Sequence, residues 1–597
     1  MKLKTSYCNG TLMRRTIQRG LPLWGIYLLL LLVMLPGRIL SWDSPDMMWL
    51  QESVLYSAAM CHLVAFLYGP AIALLVFSYL YKSTSANFFG ALPVKRGGLF
   101  LTQYLSGLLM ALVPNLLVTI LSIAAGSIQG VNLVSQSLTF FGAHTLTFLF
   151  YYSFACLVAM ITGNLMAMPV LYGILNFAVV VVELLIRSLM ETLLYGMTFR
   201  GEPVLLFLSP FANVAFGGHG PSVEAVFSTN ANVHEIQGHV FRGWQSLLIL
   251  AAVGVVFAVL AFVLYRSRRM ESAGDVIAVR WLRPVALYCF TFGCALVLGM
   301  GMYLFLNYSE NFVLMLVCML VGGGVGYFLG EMLLNRSMRV FRKRNLANCA
   351  ICAAVIVAGM LCLRLDLLGL TDYVPEREDV NAVSITYGGG WTEDPAFIDK
   401  ALELHQSVLE NKKELRKADD MYYYTIDINY ELTNGKRVTR CYNLPAYQNN
   451  GCAIDQVIDK YVALSNDPDY VVTRAFVTDY AVRDIQECHI YSYGNYGTGG
   501  DIYLTQSEAQ EFLETALVPD LKESSMKKVA YNMETVEYQP GMPYDTGIAV
   551  DVIFRGKVFA REAVNNYFYF SIPSDATRVL EYAQAHGVQP TADEPEG

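Results

Sequence analysis

Nine apolar runs, each about as long as a helix must be to cross a bilayer, fill the first 370 residues of this 597-residue chain. A spanning helix needs about 20 mostly apolar residues. The runs fall at 21–40, 57–81, 99–124, 138–162, 166–186, 244–265, 285–306, 312–334 and 346–368. Beyond them the pattern stops. Charge changes at the same point: before Asp372 there are 23 Lys+Arg against 13 Asp+Glu, and from Asp372 onward 19 against 37. A segment of net +10 joined to one of net −18 reads as two physical objects, a polytopic α-helical membrane part and an acidic soluble part.

Orientation follows from where the basic residues gather, because cytoplasmic loops of membrane proteins carry an excess of Lys and Arg. Lys2, Lys4, Arg14, Arg15 and Arg19 precede the first run. Lys82, Lys95 and Arg96 follow the second. Arg266, Arg268, Arg269, Arg280 and Arg283 follow the sixth, and Arg336, Arg339, Arg342, Lys343 and Arg344 follow the eighth. With nine alternating spans these four segments share one side, which predicts a cytoplasmic N-terminus and an extracellular C-terminal part. The turn Thr162–Leu165 should share that side, yet it is uncharged. The first run, at 21–40, lacks a small-residue cleavage site and is read as a span, not as a signal peptide.

The acidic part predicts an α+β domain. Asp394–Leu415 has helical spacing of Ile398, Leu402, His405 and Leu409. Met421–Leu444 alternates as a β-hairpin around Asn434-Gly435, a pair that tolerates positive φ. Further helices are expected near Ile454–Leu464, Ser507–Leu517 and Ser574–His586, and strands near Asp484–Tyr493, Gly547–Phe554 and Asn566–Ile572. About 220 residues suffice to fold alone, so 375–590 is expected to be an independent unit. Gly494–Asp501 reads as a connection between strands, with a ligand-binding loop as the alternative, and Pro590–Gly597 as a tail.

No G-x-x-x-x-G-K-[ST], histidine-glutamate metal pattern or G-x-S-x-G elbow is present. The chain is not expected to be an enzyme, to hold a cofactor or metal, or to bind nucleic acid. The Cys349-x-x-Cys352 pair lies in an apolar run without a partner pair. Cys441, Cys452 and Cys488 leave one disulfide open and one thiol over.

The segment between the second and third runs is the most informative. Phe88-Phe89-Gly90-Ala91-Leu92-Pro93-Val94 is apolar although it belongs to a basic, cytoplasmic loop, and Lys95-Arg96 follow it. Such a segment is either a docking surface or an aromatic belt returning to the membrane interface. Its pattern, Leu92-Pro93-Val94-Lys95-Arg96 ahead of Leu99-Phe100-Leu101, with Ser106-Gly107 and Pro114 in the next helix, resembles ABC-2 type transporter permeases, the membrane subunits of ATP-binding-cassette exporters. The resemblance covers about residues 1–265. It implies a six-helix permease-like domain in which Phe88, Phe89, Leu92, Pro93, Val94, Lys95 and Arg96 seat on a separate cytosolic ATPase that binds ATP and magnesium. It also implies a permease homodimer or heterodimer in the bacterial plasma membrane. Residues 266–370 then form three additional spans. Residues 371–597 form the extracellular acidic domain, similar to poorly characterised C-terminal domains of permeases from Gram-positive bacteria; Leu404-His405 and Tyr430-x-Leu432-x-Asn434-Gly435-Lys436-x-x-x-Arg440 carry that likeness.

Ionisable residues inside a membrane are costly and often functional. His144 and Glu183 are the candidates for a transport path; Glu331, Arg364 and Asp366 lie near span ends, where water can reach them. The glycines Gly322, Gly323, Gly324, Gly326 and Gly330 read as close helix packing. The expected function is export or extrusion of a substrate such as an antimicrobial peptide, drug or lipid-like molecule. The alternative is a non-transporting receptor whose extracellular domain binds a ligand.

Overall fold

The structure, a computed structural model, describes residues 9–41, 47–200, 202–209, 211–213, 221–227, 236–268, 274–279, 281–306, 311–385, 390–415, 423–445, 453–476, 485–493, 500–527, 543–554 and 567–590. Cys452, the terminal tail and most of Gly494–Asp501 lie outside the described residues. The chain divides into two compact units. The first holds Met1–Leu189 and Gly201–Leu361; the second holds Met190–Arg200 and Cys362–Gly597.

Among the described residues, nine helices are long and apolar enough to cross a membrane: Leu21–Leu40, His62–Tyr81, Arg96–Ile128, Val134–Ile161, Ala167–Leu193, Trp244–Ser267, Leu282–Leu306, Phe312–Asn335 and Lys343–Arg364. They correspond one for one to the nine runs. Their outward faces stay apolar; Val255, Val256 and Val259 of the sixth are all exposed. A helix that is hydrophobic all round needs lipid or protein on every side. The third, at 33 residues, is about 50 Å long at 1.5 Å per residue, well beyond the roughly 30 Å hydrocarbon layer.

The boundaries differ where local chemistry intervenes. The second run is split at Met60, leaving a separate helix Met47–Ala59 that buries Leu50, Val54, Leu55 and Ala58. The first span carries Pro36, which lacks an N–H; the helix accommodates it in a π-turn at Val33–Gly37. The ninth stops at Arg364 because Asp366 takes a left-handed conformation (φ +46°) and its carboxylate accepts the Leu370 and Thr371 amides at 2.8 and 2.9 Å.

The first six spans share one core, in which Tyr27, Tyr68, Phe100, Tyr151 and Tyr152 are buried. Spans seven to nine form a smaller core around Leu287, Tyr327 and Cys352. The expected glycine packing is present there. A Cβ on Gly322 would come within 2.8 Å of Gly299 N, and one on Gly326 within 2.4 Å of Cys294 Cβ, whereas Gly324 faces open space. Small residues let backbones approach where no hydrophobic effect draws helices together.

The second unit contains two antiparallel sheets. β3 (Val380–Ser384), β4 (Tyr423–Leu432) and β5 (Arg437–Pro445) are ordered β3-β4-β5. β6 (Ile485–Ser492), β7 (Asp501–Leu504), β8 (Asp545–Phe554) and β9 (Tyr567–Pro573) are ordered β7-β6-β8-β9. β1 (Ser222–Phe227) and β2 (Ile236–Arg242) form a hairpin in the first unit. Gly435 (φ +76°) makes the β4–β5 turn, held by Lys436 N donating to Asn434 Oδ1 at 2.9 Å. Each sheet has its own core. Helices Pro395–Glu410 and Ala453–Ser465 cover the first through Ile398, Leu404 and Ile458. The stretch Gln506–Glu523 and helix Thr577–Ala585 cover the second through Phe512, Leu517 and Val579. Helix Pro468–Phe476 serves both, with Tyr470 in the first core and Val471 and Phe476 in the second.

Residues Met190–Arg200 complete the first sheet. β5 is its edge, and Met197 bridges Arg440 while Gly196 O accepts the Cys441 amide at 3.0 Å. The Tyr195 ring packs 5.4 Å from that of Tyr442. Arg200 pairs with Asp427, whose side chain is 3% exposed. An open edge would template pairing with another chain; this one is partly covered by residues far away in sequence.

His405 lies at the centre of the same core. Its Nδ1 is 3.1 Å from Tyr430 Oη and its Nε2 is 2.8 Å from Tyr442 Oη. Burial, aided by the nearby Arg440 charge, pushes its pKa from 6.5 down to about 3. In the folded unit the ring stays neutral; in the unfolded chain it protonates below about 6.5. The unfolded state therefore binds more protons between those values, and stability falls as pH drops through that window, by at most about 1.4 kcal/mol per unit. His405→Gln is expected to flatten this part of the acid sensitivity in urea denaturation at pH 7, 5.5 and 4.5. An unchanged pH slope in the variant would contradict the assignment.

Candidate functional site

The segment after the second span folds as a short helix, Ser83–Gly90, running off the 3₁₀ turn Ser78–Tyr81. Gly90 and Ala91 end it. Pro93 then disfavours helix at Leu92, and the third span begins at Arg96. The apolar residues divide between two faces. Phe89 and Val94 pack against the six-span core, with the Phe89 ring stacked on Tyr79 at 4.4 Å. Phe88 is 64% exposed. Leu92 is half-buried, and Pro93, Lys95 and Arg96 are exposed.

From Phe89 a chain of contacts enters the bundle. Tyr79 Oη donates to Tyr265 Oη of the sixth span at 3.0 Å, and the Tyr265 ring lies 5.5 Å from Phe100 of the third. Beside the short helix a cavity of about 440 Å³ is lined by residues that include Arg19, Tyr81, Lys82, Ser85 and Asn164.

Arg268 supplies what the uncharged turn after the fourth span lacks. It is buried, and its Nη1 donates to Ala159 O and Thr162 O at 2.9 Å and to Met160 O at 3.3 Å, while Nη2 lies 3.5 Å from Leu80 O. The last carbonyls of a helix have no intrahelical donor, and a cation there also meets the negative end of the helix dipole. Arg96 Nη1 donates to Arg268 O at 3.4 Å, and Gly163 N donates to Asp275 O at 2.8 Å. The guanidinium thus ties the ends of spans two and four to that of span six, and the Arg268 carbonyl adds the start of span three. The sequence places Arg268 in a basic loop; nothing in its local pattern marks it as buried.

Deeper in the bundle, His144 Nε2 lies 2.5 Å from Tyr27 Oη, which donates to Asn115 Oδ1 at 2.6 Å. With its proton so committed, the tyrosine oxygen accepts from His144 Nε2–H. Tyr27 also stacks on Tyr68 at 3.8 Å. Among the described residues, His144 Nδ1, Asn115 Nδ2 and both ring nitrogens of His62 are buried without a hydrogen-bond partner. This polar group draws on spans one, three and four, with His62 on span two.

Glu183 has a different setting. Its carboxylate accepts from Arg187 at 2.6 and 2.9 Å and from the Val204 and Leu205 amides at 2.6 and 2.7 Å. These bonds balance its charge and fasten the short turn Leu206–Leu208. Cys441 and Cys488 are free thiols in separate sheets. Burial, with Asp427 nearby, pushes Cys441 up to about 11. Among the described residues, no three His, Cys, Asp or Glu stand together as a metal site.

The described fold is mostly helical, with nine helices long and apolar enough to cross a membrane, and its second unit holds two antiparallel sheets flanked by helices. Comparison with protein-family models, curated proteins and solved structures finds no match.

Proposed function

We propose that this chain is the permease subunit of an ATP-driven exporter, working with a separate cytosolic ATPase that binds ATP and magnesium. Two permease chains, identical or related, pair with two ATPases in a bacterial plasma membrane. The basic loops lie in the cytoplasm and the acidic unit outside, where it receives or hands off the substrate. One observation carries the reading: the helix Ser83–Gly90 presents Phe88 outward while Phe89 is seated on the ends of the spans. An ATPase gripping the outer face would push on Phe89, and Tyr79 and Tyr265 would pass the displacement to spans two and six. The polar group around His144 lies where rearranging helices would expose it to a passing substrate. The rival reading, a receptor without transport, draws on the size of the acidic unit and needs no ATPase.

Phe88→Asp is the discriminating variant. A charge in a buried apolar contact costs several kcal/mol unless paired, so the variant should insert normally yet lose a P-loop ATPase that co-purifies with the parent chain. Phe89→Asp and Leu92→Asp should lose it too, with some loss of stability for Phe89. Full retention of the ATPase by Phe88→Asp sinks the docking reading. No ATPase with the parent chain favours the receptor.

A further inference from the structure

Strand alternation in the sheet β7-β6-β8-β9 sends Cys488, Ile490, Val550, Val552, Phe568 and Ile572 into the core. The residues between them form the opposite face, which has an unusual composition. Tyr491 and Tyr493 come from β6 and the residue after it, Tyr503 from β7, and Tyr567 and Tyr569 from β9. Tyr493, Tyr503, Tyr567 and Tyr569 are 44–61% exposed. Glu487, Asp501, Asp545 and Asp551 lie among the rings, and no described residue of this face is Lys or Arg.

The rings are ordered. His489 stacks on Tyr503 at 4.0 Å and on Tyr491 at 4.7 Å. Tyr567 Oη donates to Asp551 Oδ1 at 2.7 Å, and Tyr493 Oη donates to Asp545. The bond to Asp551 pushes the Tyr567 hydroxyl up to about 12; burial and then Asp545 do the same for Tyr493. Both phenols remain donors at neutral pH. Donation to a carboxylate fixes each ring and enriches its electron density, which deepens the negative potential over its face.

A broad exposed aromatic patch on a folded unit marks an interaction surface. Its chemistry selects the partner. Ring faces attract cations, carboxylates between the rings add charge of the same sign, and the chain from Asp372 onward carries a net −18. We propose that this sheet face docks a peptide segment rich in Arg and Lys, whose cationic side chains lie over the tyrosines and pair with the carboxylates between them. The proposal stands apart from the exporter reading, since a receptor would use the same surface.

The test uses the full chain in phosphatidylcholine nanodiscs, with labelled hexa-arginine as probe and hexaglutamate as control. Saturable binding of hexa-arginine alone is expected. Tyr503→Leu with Tyr569→Leu keeps every charge and should weaken it at least tenfold, with circular dichroism and melting unchanged. Tyr503→Leu alone, and Asp551→Asn with Asp501→Asn, are the second variants should the double change disturb folding; each should weaken binding several-fold. Glu410→Gln with Glu581→Gln removes two exposed acids elsewhere and should leave affinity within twofold. Unchanged affinity in the tyrosine variants, or an equal loss in the remote pair, would reduce the effect to the general field and overturn the proposal. So would hexa-arginine failing to bind while maltohexaose binds in a Tyr503-dependent way, which would make the face a carbohydrate platform.

Discussion

Arg200→Ala is expected to destabilise the acidic unit by about 3 kcal/mol, although Arg200 lies in a loop more than 160 residues before most of that unit. Its partner Asp427 is 3% exposed, and truncation leaves that carboxylate in the sheet with its cation gone. Removing one member of a buried pair costs about 3–5 kcal/mol; the lower end applies because Arg200 keeps 29% of its side chain in water. For a unit of this size that is about 6–12 °C in melting temperature, readable by differential scanning of the whole protein. Gly196→Val should be more severe. Gly196 has φ +73°, and a Cβ there would sit 1.9 Å from the Tyr442 ring. A chain of residues 362–597 alone should melt lower and less cooperatively than one with 190–200 appended. Identical melting of the two would make the segment a passenger.

Arg268→Met is the second large expected effect. Methionine nearly matches the stem in bulk but donates nothing to Ala159 O or Thr162 O, each now 2.9 Å from the guanidinium. A buried carbonyl left without a donor costs about 1–3 kcal/mol, so a loss of about 3 kcal/mol is expected after allowing for the relief of no longer burying a charge. Arg268→Lys should recover less than half, because one ammonium cannot reach two helix ends as a planar fork does. Thermal scanning in detergent measures both. Equal stability of the Met variant and the parent would show that the helix ends find other donors.

The spans and the strands β4, β5, β6, β8 and β9 were legible because each is written in a local period; the short strands β3 and β7 and the β1–β2 pair were not expected. Twenty apolar residues in a row, or Tyr424 to Leu432 alternating before Asn434-Gly435, announce an element without reference to the rest of the chain. Three things were not legible, for a common reason. Arg268 looks like any residue of a basic loop until its carbonyl partners, more than a hundred residues earlier, are known. Phe88 and Phe89 are chemically identical in the sequence, and only the fold of Ser83–Gly90 separates an exposed ring from a seated one. The acidic unit reads as contiguous from about residue 371, and no composition rule could enlist Met190–Arg200. Long-range pairing leaves no periodic trace. His144 was visible as an ionisable group in an apolar run, but Tyr27 and Asn115 beside it were not.

The placement of Met190–Arg200 also sets an order of events at the ribosome. Gly196 leaves the tunnel some 245 residues before Cys441, the residue whose amide it accepts. At about 5–20 residues per second, it waits roughly ten to fifty seconds, while the next four long apolar helices are made. During that interval the strand partner does not exist. The sheet therefore closes on a segment made long before it, and the last-made part of the chain must find the early one. A nascent chain arrested before residue 437 should leave Met190–Arg200 open to protease, and the full-length chain should protect it.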